Sequence, residues 1–293
     1  MKNKNTEKDE KPVIAIIGTG LIGCSLAEGL RSRASEIIGA DNNTSHLQEA
    51  LYRGWIDRSM SPEKAAEHSD IIIIAIPVDA SIQLLPVLLD RAGEDSVIID
   101  AGSIKGAVCN AVAGHSRRDQ FVAAHPMAGL AVSGPDASDS RMFRNKKVII
   151  CEREKSSDKA LNTAAGIFSG LGMDIVYMDP VIHDFCVAKV SHLPQVLAYC
   201  LSAITGDDEH HEPLFNIAST GYESTTRLSS SPAGMWIPIF KHNSENLSRS
   251  IDKMISVLSE IRGMIGEGDW VAINELIIKA NKSRKQFLSE YKQ

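Results

Sequence analysis

The sequence predicts an α/β protein with a doubly wound, mostly parallel sheet, followed by an all-helical domain. Short apolar runs, such as residues 13–17 and 71–76, alternate with stretches of helical spacing, and this order is typical of consecutive βαβ units. The runs are apolar throughout, as expected for strands that are buried on both faces. Past residue 180 no such run recurs, and helical spacing dominates the rest of the chain.

The first predicted strand runs into a glycine-rich turn, GTGLIG, and then into a helix. Each glycine meets a separate demand: Gly18 allows the sharp turn, Gly20 lets the backbone approach a pyrophosphate, and Gly23 lets the helix pack close to the strand. The pyrophosphate is expected on the free N–H groups of the helix start, at Leu21 and Ile22. A glycine turn that binds no phosphate is the alternative interpretation.

The second predicted strand, residues 36–40, ends in Asp41, close to the offset of about 20 residues expected for an acid that binds the adenosine ribose. Strand, glycine turn, helix and acid in this order predict a Rossmann-type dinucleotide-binding domain. The charge of Asp41 would repel a 2′-phosphate, and Asn42 and Asn43 follow where an NADP-binding arginine is expected. The predicted cofactor is therefore NAD rather than NADP.

The remaining elements continue the alternation to residue 180. The later strands are predicted at residues 36–40, 55–56, 69–78, 96–105, 120–124, 147–151 and 174–178. The helices between them are predicted at residues 45–53, 80–91, 106–114 and 157–171, with Ser45 as the expected cap of the first. In the second domain, helices are predicted at residues 183–204, 212–220, 236–263 and 269–285.

These elements divide the 293-residue chain into three predicted segments. Residues 1–11 have mixed charges and no apolar run, so we expect a disordered lead-in that is neither a signal peptide nor an anchor. Residues 12–180 form the predicted NAD-binding domain, and residues 181–293 form the predicted helical domain. The apolar content of 43% is enough for a core in each.

The composition argues against several classes of function. A net charge of -6 disfavours nucleic-acid and membrane-surface partners, because phosphate-rich partners need a basic face. No run approaches the ~20 apolar residues of a membrane span, and a small-molecule substrate is expected. The five cysteines are odd in number and lack CxxC spacing, which predicts reduced thiols and a cytoplasmic location. They are Cys24, Cys109, Cys151, Cys186 and Cys200.

Three polar clusters are expected to face the nicotinamide, because ligands bind at the carboxyl ends of the strands in such sheets. Ser103 and His125 belong to two such ends. An imidazole that titrates near neutrality is a natural base for a hydroxyl proton while hydride leaves the same carbon; the alternative is a histidine satisfied in the core. Arg227 has the planar fork that binds a carboxylate; the alternatives are a helix cap or a pair with Glu223.

Two other groups have simpler interpretations. Asp100 and Lys105 flank the serine and are expected to cap or position the turn. His183 and Cys186 are one helical turn apart, with His192 further along, but no clear fourth ligand accompanies them. No metal site is therefore predicted.

Five motifs occur in the order found in prephenate dehydrogenases and their arogenate-using relatives: GTGLIG, DAGSIK, HPMAG, SHLP, and TRLSSSP followed by MW. The sequence resembles this family over nearly its whole length, and the combination of HPMAG with TRLSSSP is far more specific than the glycine turn. The resemblance implies oxidative decarboxylation of prephenate to 4-hydroxyphenylpyruvate, with NAD as hydride acceptor, on the route to tyrosine. It also implies a homodimer joined through the helical domain.

The resemblance also implies roles for single residues. His125 matches the catalytic histidine that accepts the proton of the 4-hydroxyl group, and Ser103 matches the serine that orients that histidine and the hydroxyl. Arg227 matches the arginine that binds the substrate carboxylate. Trp236 matches a tryptophan near the site.

Several positions depart from the commoner pattern of the family. Gln195 stands where many members have a second histidine that contacts substrate, and its amide forms hydrogen bonds but does not titrate. Leu130 and Ala131 follow HPMAG in place of Thr and Glu, and residues 222–224 read YES in place of FRD or FKD. An acid and a base on facing segments are thus absent together. Glu223 would meet the extra ammonium of arogenate, which keeps that substrate open.

The leading hypothesis is an NAD-dependent prephenate dehydrogenase. The alternative within the enzymes is an arogenate or aminodeoxyprephenate dehydrogenase, which substrate profiling would separate. The alternative from a different class is a catalytically silent NAD-binding sensor that signals through its helical domain. Intact Ser103, His125 and Arg227 count against the sensor, and measurable turnover would exclude it.

Overall fold

The computed structural model describes residues 11–129 and 132–290. All but the last residue of the predicted lead-in, residues 1–11, lies outside the described residues, as do Leu130 and Ala131. The chain divides into two compact units, the first ending at Ser244 and the second beginning at Glu245. The predicted boundary after residue 180 falls inside the first unit and stays a prediction.

An eight-stranded sheet forms the centre of the first unit, with the strand order β3-β2-β1-β4-β5-β6-β7-β8. The strands are β1 Val13–Ile17, β2 Glu36–Ala40, β3 Arg58–Ser59, β4 Ile71–Ile74, β5 Val97–Asp100, β6 Phe121–Pro126, β7 Lys147–Cys151 and β8 Asp174–Met178. Neighbouring strands are parallel except β6 and β7, which pair antiparallel. The prediction of a mostly parallel, doubly wound sheet is confirmed.

Helices follow the strands and continue past the sheet. In the first unit they are α1 Leu21–Leu30, α2 Thr44–Tyr52, α3 Pro62–Glu67, α4 Val78–Arg91, α5 Gly106–Ala111, α6 Asp158–Gly170, α7 Pro180–Val187, α8 Leu193–Gly206, α9 His211–Ile217, α10 Thr220–Thr226 and α11 Ala233–His242. Two long helices follow, α12 Ser244–Glu267 and α13 Trp270–Glu290, and the second unit contains α13 and all of α12 except its first residue. Within the described residues no helix is both long and apolar enough to cross a membrane.

Two local predictions are wrong. Asn43, and not Ser45, caps α2, because the Asn43 side chain accepts a hydrogen bond from the Ser45 N–H and the helix already begins at Thr44. Trp55 and Ile56 form no strand, because their N–H groups both donate to the Ala50 carbonyl at the end of α2. The short edge strand follows instead at β3.

The core lies on both faces of the sheet. Ile14 and Ile16 of β1 belong to one buried apolar cluster, whereas Ala15 and Ile17 belong to the other. This division follows from the two-residue repeat of a strand, which sends successive side chains to opposite faces. Burial on both faces explains why central strands such as β1 and β4 are apolar throughout.

The carboxyl ends of β1, β2, β5 and β6 lie at one edge of the sheet because these strands run in the same direction. The glycine turn follows β1, and Asp41 follows β2. Ser103 follows β5, and His125 is the second-last residue of β6. This edge therefore holds residues from both the predicted cofactor site and the predicted catalytic site.

Candidate active site

The three glycines of the turn differ in what surrounds them. Gly18 has a φ of +98°, and a Cβ on it would lie 2.4 Å from the Ala75 carbonyl oxygen. A Cβ on Gly23 would lie 1.8 Å from the Gly18 carbonyl oxygen, so the helix packs directly on the turn. A Cβ on Gly20 would meet nothing within 4 Å. The fold thus requires Gly18 and Gly23, whereas open space in front of Gly20 fits the approach of a pyrophosphate.

The first turn of α1 fits the same group. Gly20 occupies the cap position, and no side chain of the described residues accepts a hydrogen bond from the start of the helix. The N–H groups at Leu21 and Ile22 therefore lie at the positive end of a helix without a side-chain cap, which is the environment that binds phosphate.

Asp41 is held beside the glycine turn. Its Oδ2 accepts hydrogen bonds from the Thr19 backbone N–H at 2.7 Å and the Thr19 hydroxyl at 3.1 Å. Its Oδ1 accepts one from the Asn43 N–H at 2.8 Å, and His46 Nδ1 lies 3.6 Å from Oδ2. Asp41 is thus fixed at the end of β2, where a ribose is expected, and a carboxylate there disfavours a 2′-phosphate. The role of Thr19 in holding Asp41 was not part of the sequence prediction.

His125 forms a short line of hydrogen bonds with α7. Its Nδ1 lies 2.8 Å from Nε2 of His183, and Nδ1 of His183 lies 2.8 Å from Oδ1 of Asp184. All three residues are buried. Burial first, and then electrostatic interactions with His183, Lys105 and His192, lower the pKa of His125 well below its ordinary value. The imidazole is therefore neutral at physiological pH and able to accept a proton.

Asp184 joins α7 to the loop after β5. Its Oδ1 accepts a hydrogen bond from the Lys105 backbone N–H at 2.9 Å, and its Oδ2 accepts one from the Gly106 N–H at 2.8 Å. Its backbone carbonyl accepts one from the Asn243 side chain at 2.7 Å. The carboxylate thus occupies the start of α5 and fixes the segment that carries Ser103.

Lys105 lies beneath this loop with its side chain fully buried. Its ammonium forms an ion pair with the equally buried Asp100 and donates to the Ala124 carbonyl at 2.5 Å. It therefore joins the end of β5 to the residue before His125. The predicted positioning role of Asp100 and Lys105 agrees with this contact.

Ser103 is partly buried, and its hydroxyl has no hydrogen-bond partner among the residues that the structure describes. The ring nitrogen Nδ1 of His125 contacts His183, so the serine expected to orient the histidine does not do so in this conformation. Its hydroxyl is free for a ligand.

A second group of polar contacts joins α8 to residues 227–231. Gln195 Nε2 donates to the Leu228 carbonyl at 2.6 Å, Tyr199 donates to the Ser231 carbonyl at 2.8 Å, and the Ser202 and Ser229 hydroxyls lie 2.9 Å apart. A π-helical turn, Ala188–His192, precedes α8. Such turns occur frequently at functional sites.

These contacts hold the segment next to Arg227 against α8, and the charge of Arg227 has no partner among the described residues. Arg227 is exposed, and within residues 11–129 and 132–290 its guanidinium forms no hydrogen bond or ion pair. The alternatives of a pair with Glu223 and a helix cap are therefore absent from the described contacts. An unpaired guanidinium beside α8 suits an anionic ligand.

Two buried polar atoms in this region lack partners among the described residues: Oε1 of Gln195 and Nε1 of Trp236. The Trp236 ring packs edge-on against His192, with centroids 5.9 Å apart. His192 in turn contacts Asn243, whose amide nitrogen lies 3.2 Å from the His192 Nδ1. A continuous series of contacts thus leads from Trp236 to Asp184 and His125.

The structure therefore brings some predicted residues together and leaves others separate. The series of contacts joins His125 to Trp236, and the contacts of α8 hold Gln195 beside the residue that follows Arg227. No described contact joins Arg227 or Ser103 directly to His125.

His183 and Asp184 are the main residues that sequence reasoning missed. The sequence pattern suggests for His183 only the role of a metal ligand. It bonds instead to His125 and Asp184, and no group of three possible metal-ligating side chains occurs in the described part of the chain. One signal was available: His183, Asp184 and Val187 share the buried face of α7, and polar residues on such a face need a partner.

Two family models match the chain. The model of the prephenate dehydrogenase nucleotide-binding domain matches residues 26–177, and that of the prephenate dehydrogenase dimerization domain matches residues 179–279. The prephenate dehydrogenase of Lactococcus lactis is 30% identical over 93% of this chain and 76% of its own length.

The solved structures that share the fold include two from this group of enzymes. Prephenate dehydrogenase from Aquifex aeolicus, in complex with hydroxyphenyl propionate and NAD+, matches with a TM-score of 0.84 and 28% identity over 94% of this chain and 98% of its own. Synechocystis arogenate dehydrogenase matches with a TM-score of 0.76 and 25% identity over 94% and 99%.

The fold and the site define a dehydrogenase with a Rossmann-type nucleotide-binding domain. The chain belongs to the prephenate dehydrogenase family. It is an NAD-dependent oxidoreductase, and the predictions of family, fold class and NAD are confirmed. Within this family it belongs with the prephenate, cyclohexadienyl and arogenate dehydrogenases.

Proposed function

We propose that the protein oxidises and decarboxylates prephenate to 4-hydroxyphenylpyruvate, in tyrosine biosynthesis. The observation that carries the proposal is the neutral, buried imidazole of His125 at the carboxyl edge of the sheet. NAD supplies the acceptor for the hydride that leaves C4 of the substrate. The family match and the relatives named for prephenate support this choice of substrate.

Each site residue has a part in this reaction. His125 takes the proton of the 4-hydroxyl group as the C4 hydride leaves, and the free hydroxyl of Ser103 orients that substrate hydroxyl. Arg227 binds a substrate carboxylate with its unpaired guanidinium. The ring becomes aromatic as carbon dioxide is lost, so orientation, a base and a carboxylate-binding residue supply most of what the reaction needs.

The cofactor part of the proposal rests on the glycine turn and Asp41. Gly18 and Gly23 shape the turn, the open space at Gly20 admits the pyrophosphate, and the uncapped N–H groups of Leu21 and Ile22 bind it. Asp41 accepts hydrogen bonds from the hydroxyl groups of the adenosine ribose.

One observation favours arogenate as a second candidate. Oε1 of Gln195 is a buried acceptor without a described partner, and Nε2 is already committed to the Leu228 carbonyl. This orientation offers a substrate an acceptor only, which suits an ammonium group and gives nothing to a keto oxygen. Trp236 offers the opposite, a single unpaired donor.

The purified protein tests the function directly. NADH formation is followed with prephenate, and then with arogenate, in the presence of NAD and of NADP. A higher kcat/KM for prephenate with NAD supports the proposal, whereas a higher value for arogenate replaces it with the second candidate. NAD binding without turnover of either substrate would support the silent sensor.

The matched variant is His125→Asn, which keeps a polar side chain and removes the base. We expect it to abolish turnover and to bind NAD as the wild type does. A near wild-type rate in this variant would refute the role of His125 as the base.

A homodimer is part of the proposal. The family model that covers residues 179–279 is that of a dimerization domain. Large apolar side chains are exposed there in both units. In the first unit they include Val181, Ile182, Val190, Ile204 and Ile217, and in the second Ile255, Leu258, Trp270, Val271 and Ile278. Light scattering after size exclusion should give twice the chain mass, and the chain mass alone would contradict the dimer.

The cytoplasmic location stays a prediction. It is supported by the cysteines, since all five are free and three of them are buried. Unpaired thiols are typical of reducing compartments.

A further inference from the structure

We infer that Asp184 and His183 are positioning residues that hold His125 in the tautomer whose Nε2 is free to accept the substrate proton. The inference rests on the base role proposed for His125, and it assigns a catalytic purpose to two residues of α7 that the sequence motifs leave out.

The line of three side chains is short and dry. The two hydrogen bonds, His125 to His183 and His183 to Asp184, are both 2.8 Å long. His183 is 1% exposed, and the other two are 9% exposed or less. Water therefore does not compete for these nitrogen and oxygen atoms, and each bond has to be satisfied within the protein.

The proton positions follow from the acid end of the line. Burial alone would raise the pKa of the Asp184 carboxyl, but hydrogen bonds from His183, Lys105 and Gly106 together lower it. An ionised carboxylate only accepts hydrogen bonds. Nδ1 of His183 must therefore carry the proton that it shares with Asp184.

In the tautomer that we assign to His183, the ring carries a single proton on Nδ1, and Nε2 is an acceptor. Nδ1 of His125 then donates to it, because a 2.8 Å contact between two ring nitrogens needs one donor and one acceptor. Nε2 of His125 is then left with its lone pair, and it has no hydrogen-bond partner among the described residues. The ring thus presents a proton acceptor away from α7.

The same line supports the charged form of the base. Burial, His183, Lys105 and His192 each disfavour a positive ring at His125, and the carboxylate at the far end of the line acts against them. Asp184 places a carboxylate one imidazole away from His125, so the proton taken from the substrate is partly balanced along the line. Nε2 of His125 forms the new N–H bond, and the Nδ1 hydrogen bond to His183 stays in place.

Two substitutions at one position separate positioning from packing. In His183→Gln, the amide oxygen can accept from Nδ1 of His125 while the amide nitrogen donates to Asp184, so the tautomer is kept. In His183→Leu, the acceptor is lost and the space stays filled. Positioning of the base is worth about 100-fold to about 10,000-fold in rate. We expect kcat to fall at least about 100-fold in the Leu variant and to stay within about tenfold of wild type in the Gln variant, with KM little changed in both.

The decisive measurement is nitrogen NMR of the full-length protein labelled at histidine, with the His125 signals identified by their loss in His125→Asn. We expect a protonated Nδ1 and an unprotonated Nε2 at His125 in the wild type and in His183→Gln. A protonated Nε2 in the wild type would overturn the inference, as would equal kcat values for the Leu and Gln variants. The NMR result does not depend on turnover, so it stands apart from any failure of the proposed function.

Discussion

Lys105 and Asp100 form an ion pair in which both side chains are fully buried. The pair sits where β5 ends, and the same ammonium donates to the Ala124 carbonyl at 2.5 Å. Two buried charges are costly unless each is paired, so removing one partner leaves the other uncompensated. The geometry of the sheet edge that carries Ser103 and His125 therefore depends on a contact that does not involve substrate.

We expect Lys105→Met to lower the free energy of unfolding by about 3 to 5 kcal/mol, because it leaves the Asp100 carboxylate buried without its partner. The double variant with Asp100→Leu should be less destabilised than this single variant. Urea unfolding of both measures the difference. The matched control is Arg91→Ala, which breaks an exposed pair with Glu67 and should cost at most about 1 kcal/mol.

The glycine turn offers a pair of variants with opposite expectations. Gly20→Ala puts a methyl group in open space at a negative φ, so its melting temperature should match wild type, while its Kd for NAD should rise at least about tenfold because the pyrophosphate loses its approach. Gly23→Ala overlaps the Gly18 carbonyl and should lower the melting temperature by several degrees. Thermal melts of both variants measure the change in stability, and NAD titrations measure the change in Kd. Normal NAD affinity in Gly20→Ala would move the pyrophosphate elsewhere.

Asp41→Asn should relax the discrimination against NADP. The substitution removes the charge that repels a 2′-phosphate and keeps an amide of similar shape beside Thr19. Because the asparagine can still accept one hydrogen bond, the turn should stay in place. The ratio of kcat/KM for NAD to that for NADP should fall, and an unchanged ratio would mean that another group selects the cofactor.

Arg227→Ala should weaken substrate binding and leave NAD binding intact. A hydrogen bond to a charged group is worth about 1.5 to 3 kcal/mol, so we expect kcat/KM to fall roughly 10-fold to 100-fold, mainly through KM. Arg227→Lys should recover only part of the loss, because an ammonium lacks the planar fork. An unchanged KM in the alanine variant would place the carboxylate-binding group elsewhere.

Stability should fall as the pH is lowered below about 6.5. Burial is the main cause that lowers the pKa of His192 to about 4, and His125 shifts in the same direction. The unfolded chain therefore binds protons at a higher pH than the folded protein does. As the pH falls from about 6.5 to about 4, the shift of His192 alone lowers the free energy of unfolding by about 3 kcal/mol. Urea unfolding at several pH values should show a smaller loss in His192→Gln, while His210→Gln, at an exposed histidine, should behave as wild type.

The glycine turn, Asp41 and most strands could be predicted because each is recognised from the pattern of a few consecutive residues. The apolar runs at β7 and β8 even match the predicted bounds. Asn43 shows the limit of this approach, since both it and Ser45 are good caps and the start of the helix decides between them.

The relation of His125 to His183 could not be predicted in the same way. The two residues are 58 positions apart in sequence, and only the packing of α7 against the sheet edge makes them neighbours. The burial of Lys105 is equally hidden, because lysine is almost never fully buried unless it is paired. The contacts of His183 and Lys105 thus depend on tertiary structure, whereas the residues proposed to bind the cofactor are recognisable from local sequence.

The π-helical turn at Ala188–His192 sets which face of the following helix, α8, is turned toward residues 228–231. Gln195, Tyr199 and Ser202 bond to residues 228–231 from one face of α8. Deleting a single residue from the turn would rotate that face by about 100° and break all three bonds together. The length of this turn, more than any one side chain in it, therefore sets whether α8 can support the segment that carries Arg227.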